Sequence, residues 1–170
     1  MTVSDYAKET RLPMDAAQAQ RLGFTPYAPD QAQERVPLTE WGKDHWSTFA
    51  YLETVAVDAR GTIENVRMRC DSRLHRPFAH GNGLGYLHDG EQFPTRLKGG
   101  VERAGHDDWS CVEDMVVEGL IQAWWRADPA LSIGGATCLV ALTERGWRCA
   151  AALRAHKAAG GRYADFTWNE

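Results

Sequence analysis

The stretch 107–157 limits the possible folds most, because its signals come in an order that few architectures satisfy. Asp107 or Asp108 can cap a helix whose apolar stripe is Trp109, Val112, Met115 and Val116. Gly119 then supplies the left-handed residue that commonly follows a helix end. Two apolar runs come next, 120–125 and 137–142, separated by Asp128-Pro129 and Gly134-Gly135. Thr143 caps a second helix with Trp147, Ala150, Ala151 and Leu153 on one face, and Gly160-Gly161 stops it. The segment predicts helix, strand, strand, helix.

Upstream, residue content predicts another hairpin. Residues 46–57 have the β-branched and aromatic content of a strand, and 62–70 reads as its return. Asp58-Ala59-Arg60-Gly61 suits a type I turn followed by a glycine bulge. A loop over 59–61 sets Glu53 opposite Arg67 and Tyr51 opposite Arg69. The other face pairs Leu52 with Met68 and Thr54 with Val66. Residues 91–97 read as a short edge strand, where Pro94 is tolerated. Near the start, 14–22 predicts one short helix between Pro13 and Gly23. The expected organisation is an N-terminal arm over 1–44, a β-rich central region over 45–105, and a helical and hairpin unit over 106–170. The fold class is α+β, with an antiparallel sheet built on the central hairpin.

The C-terminal order resembles winged-helix regulators. The residues that carry the resemblance are Glu118-Gly119-Leu120-Ile121 and Leu142-Thr143-Glu144-Arg145-Gly146, and it covers about 50 of 170 residues. It implies a recognition helix over 107–118 and a wing tip over 127–136. That helix carries Asp107, Asp108, Glu113, Asp114 and Glu118 and no Lys or Arg. Phosphates would repel such a face, since DNA readers draw most of their affinity from basic groups. The acidic helix is therefore expected to meet a basic protein partner.

Charge moves the expected anion site to the middle of the chain. Residues 60–103 hold 8 basic and 5 acidic side chains, against 5 and 9 over 1–59. Arg67, Arg69, Arg73 and Arg76 fall within ten residues, with Glu53 and Tyr51 placed to orient them toward a carboxylate or phosphate. Cys70, His75, His80 and His88 could supply nitrogen and sulfur ligands to zinc, but their spacing fits no zinc signature. No cofactor is expected.

Catalytic motifs are missing. Gly81, Gly83 and Gly85 alternate without the dinucleotide pattern, and neither a P-loop nor a GxSxG elbow occurs. His106-Asp107 is adjacent, as in HD-type hydrolases, but the surrounding chain reads as loops and strands without the further helical His and Asp ligands that class needs. The four cysteines, Cys70, Cys111, Cys138 and Cys149, show no CxxC spacing and read as reduced core residues. No apolar run approaches the ~20 residues that span a bilayer. The first residues lack a basic start and an apolar stretch, so a soluble, cytoplasmic protein is expected.

The reading that follows is a non-enzymatic binding or regulatory protein acting through protein–protein contacts, with homo-oligomers possible. One alternative is a nucleic-acid-binding regulator using 67–76. Another is a small metal- or Arg-assisted enzyme built on Glu53, Arg67, Arg69 and the nearby histidines.

Overall fold

A computed structural model describes residues 14–29, 35–63, 94–127 and 136–170. The elements in order are α1 (Ala16–Arg21), β1 (Thr25–Pro26), α2 (Lys43–Asp58), β2 (Thr95–Arg96), β3 (Glu102–Arg103), α3 (Asp108–Val117), β4 (Ile121–Ala127), β5 (Ala136–Leu142) and α4 (Glu144–Ala158). The class is α+β with antiparallel sheets: β1-β4-β5 form one and β2-β3 a small second one.

The C-terminal elements form where the local signals put them. Asp107 caps α3 by accepting from the Ser110 amide at 3.1 Å, and the Ser110 side chain answers the Asp107 amide. Gly119 lies at φ 74° just past the helix end. β4 and β5 then pair from Ile121 with Leu142 through Ala127 with Ala136. Thr143 caps α4 through the Gly146 amide at 3.0 Å.

The predicted hairpin over 46–70 is not formed. Residues 46–57 lie inside the 16-residue helix α2. Its buried positions are Asp44, His45, Trp46, Thr48, Phe49, Leu52, Val55 and Ala56; from His45 through Phe49, Leu52 and Ala56 they recur at three and four rather than two. That spacing puts one face against α3, β5 and α4. The described part of 45–105 is therefore one long helix and a minimal hairpin, not a β-rich region. Arg60 at φ 51° and Gly61 at φ 83° end the helix and turn the chain. Residues 61–63 then run along β5: Val140 donates to Gly61, and Ile63 donates to Cys138. A side chain at Gly61 would overlap the Val140 carbonyl, so this close approach requires glycine. Thr62 bridges to Leu139 of β5 rather than to the segment 46–57.

The β4–β5 hairpin is covered on both faces. Ile121, Ala123, Cys138, Val140 and Leu142 join the main core with Trp46, Phe49, Leu52, Val112 and Met115. Trp124, Leu139 and Ala141 face the other way, onto Met14, Ala19 and Phe24. Burial on both faces explains why 137–142 reads as an almost unbroken apolar run.

Candidate functional site

The main core holds an unusual number of polar side chains where α2, α3 and the β2–β3 hairpin meet. Asp44 and His45 come from the first turn of α2, Thr95 from β2, His106 from just before α3, and Cys111 and Asp114 from α3 itself. Each of these six is no more than 4% exposed.

Asp114 is the hub. Its Oδ2 accepts from His45 Nε2 at 2.8 Å and from His106 Nε2 at 2.7 Å, and its Oδ1 accepts from the Val36 amide at 3.3 Å. Burial alone would raise the Asp114 pKa. The hydrogen bonds from His106 and His45 outweigh it and hold the carboxyl below its usual range. An ionised carboxylate only accepts, so both Nε2 atoms carry protons. Burial lowers the His45 pKa despite its bond to Asp114. The neutral His45 ring stacks on Trp41, with centroids 4.9 Å apart and planes within 10°. With Nε2 protonated, Nδ1 of His45 is a bare acceptor, and among the described residues it meets no hydrogen-bond partner.

His106 continues the chain of contacts. Its Nδ1 lies 2.7 Å from Thr95 Oγ1, which in turn lies 3.8 Å from Cys111 Sγ. Burial pushes the Cys111 thiol pKa well up, with the Asp108 charge adding to it and the Thr95 contact opposing it. A ring nitrogen of His45, a ring nitrogen of His106 and Cys111 Sγ all lie within 4.8 Å of one another. These are donors that suit a transition metal. Nearby, Asp44 accepts from the Arg96 amide at 2.7 Å, which ties the first turn of α2 to β2.

The acidic helix expected at the surface is mostly inside the protein. Asp107, Asp108 and Glu113 are 3%, 7% and 4% exposed and Asp114 is fully buried; Glu118 is half-buried. Four of these five carboxylates hold named contacts within the fold. Asp107 caps its helix, Asp114 bridges two histidines, Glu113 pairs with Arg35 at 2.9 Å, and Glu118 accepts from the Leu38 amide at 3.3 Å. A carboxylate can be buried when its partners are too. The helix α3 therefore does not offer a charged face to solvent.

The other sequence-derived positions separate. Arg67, Arg69, Arg73 and Arg76, and likewise Cys70, His75, His80 and His88, lie outside the described residues. Glu53, expected to orient those arginines from a strand, sits on α2 and pairs with Arg154 of α4. Tyr51 is half-buried on the same helix. Cys111, Cys138 and Cys149 are buried and free, as expected of reduced core cysteines. Sequence reasoning passed over His45 and Thr95, and gave Cys111, Asp114 and His106 other roles. One local signal was available: Cys111 and Asp114 share the helical spacing of the Val112 and Met115 stripe.

No family model, no curated protein and no solved structure matches this chain. Among the described residues, no helix is long and apolar enough to cross a membrane.

Proposed function

We propose that this chain is a non-enzymatic binding protein whose described part is a folded support rather than a reaction site. The observation that carries the reading is the enclosure of the His45–Asp114–His106–Thr95–Cys111 cluster. A general base must come within about 3 Å of a substrate proton, directly or through one water. A cysteine nucleophile must be a thiolate. Neither condition suits side chains this deeply covered, with a thiol held protonated by burial. The test is mapped alkylation of the full chain. Iodoacetamide should leave Cys111 unmodified in the native protein and modify it in denaturant. Rapid native modification of Cys111 would reveal an open thiol and overturn the reading.

A second reading, a winged-helix-like nucleic-acid regulator, is favoured by one feature of α4. Its surface exposes Arg148, Arg154 and Lys157, and cations are what a phosphate backbone requires. Arg154 pairs with Glu53, and Arg148 lies 3.5 Å from Glu144, which reduces the free charge. The corresponding protein would retain duplex DNA at low salt and lose it in Arg148→Glu plus Lys157→Glu. Loss only in Arg69→Ala plus Arg73→Ala would move the contact to 67–76. No retention at low salt would reject the nucleic-acid reading altogether.

A further inference from the structure

We propose that His45, His106 and Cys111 form a buried binding site for a divalent transition metal, zinc by donor preference. Three observations converge on it. The first is the donor set, two imidazoles and a thiol, which is soft and borderline in the way zinc sites are. One ring nitrogen of each histidine and Cys111 Sγ lie within 4.8 Å of one another. Zinc holds nitrogen at roughly 2.0–2.1 Å and sulfur at roughly 2.3 Å, so these donors around one tetrahedral ion sit about 3.3–3.6 Å apart. Binding therefore requires the donors to close in by about 1 Å.

The second observation is the unpartnered Nδ1 of His45. It is an acceptor in a fully buried ring, and among the described residues nothing donates to it. Leaving such an atom unsatisfied is costly, and a metal ion is one of the groups that can meet it. The third is Asp114. Histidines that bind metals usually donate their other ring N–H to a carboxylate or carbonyl, which fixes the tautomer and the ring. Asp114 accepts from both histidines through one oxygen. It is a positioning residue for the site.

Charge balance points the same way. On binding, the Cys111 thiol loses its proton to solvent, and the S–H bond is replaced by a metal–sulfur bond. Thiolate and the Asp114 carboxylate then offset the two positive charges of the ion, and an imidazole bound to a metal adds no charge. Thr95 Oγ1 contacts both His106 Nδ1 and Cys111 Sγ, so it is the group that would turn to admit the ion. The site goes beyond the binding-protein reading and does not rest on it.

The test is metal analysis of the full chain purified without a metal-affinity tag. About one zinc per chain is expected by elemental mass spectrometry. X-ray absorption at the zinc edge should show one sulfur and at least two nitrogens. Exchange into cobalt(II) should give a thiolate charge-transfer band. Cys111→Ser should remove that band and at least nine-tenths of the bound metal, with folding checked by circular dichroism. Cys70→Ala should change neither. Protein with no metal above background that also fails to take up added zinc or cobalt would overturn the proposal. So would metal that stays with Cys111→Ser and leaves with Cys70→Ala. If the Cys111 variant does not fold, the absorption spectrum of the unaltered chain decides, because a zinc shell without sulfur excludes the site.

Discussion

At the residue scale, Asp114 shows how much of this core depends on one carboxylate. It satisfies two buried imidazoles and a backbone amide at once, and hydrogen bonds to a charged group contribute about 1.5–3 kcal/mol each. Asp114→Asn keeps the shape but removes the charge and replaces one acceptor oxygen with a donor. Stability should fall by about 2–4 kcal/mol, read from the urea midpoint. An unchanged midpoint would mean the bridge contributes nothing. Cys149 gives a complementary test. Burial pushes its thiol up to about 12, against the pull of Arg145. Its reactive thiolate therefore becomes abundant only as pH approaches that value. Native alkylation at pH 8 should run at least about a hundred-fold slower than for a free cysteine, and should keep rising with pH. A rate near that of a free thiol would contradict the packing around α4.

At the scale of elements, the α4 contact with the α3–β4 junction turns on Gly146. A methyl group there would overlap the Leu120 carbonyl, which belongs to the backbone and cannot rotate away. Gly146→Ala should cost about 1–3 kcal/mol despite alanine's better helix propensity, and thermal unfolding measures it. A gain in stability would show that α4 can slide without penalty. The run from α3 to α4 was readable in the sequence because its markers are local: Asp107, Gly119, Thr143 and Gly160 act within a few residues of themselves. The helix α2 was not readable in the same way. Trp46, Phe49, Tyr51, Val55 and Val57 have strand-like content. The helical stripe that decides the matter includes the polar His45 and Thr48, which do not register as core residues. The site failed to show for a related reason. Asp114 is buried because His45, 69 positions earlier, folds back onto it. A carboxylate without that distant partner would face water, which is where the sequence put it.

For the whole molecule, the question is whether the chain before α2 is an accessory or part of what makes β4–β5 stable. Met14, Ala19 and Phe24 cover the hairpin face opposite the main core, against Trp124, Leu139 and Ala141. β1 extends the sheet at β4, and the Tyr27 amide donates to Ala123 at 2.8 Å. Arg126 clamps this layer: its guanidinium lies 4.5 Å above the Phe24 ring and donates to the Leu22 carbonyl at 2.8 Å. Without the layer, one face of a strongly apolar hairpin would meet water. Phe24→Ala is therefore expected to cost about 3 kcal/mol, as for other buried phenylalanines. Arg126→Ala should cost about 1 kcal/mol, since its contacts are exposed. The two residues touch, so the double variant should lose less than the two separate losses combined. Denaturant unfolding of the three variants measures all of this. A loss below about 0.5 kcal/mol for Phe24→Ala would make 14–27 a loosely held arm. The larger loss would make it a structural layer, so that any partner of this segment would have to bind its outer side rather than replace it.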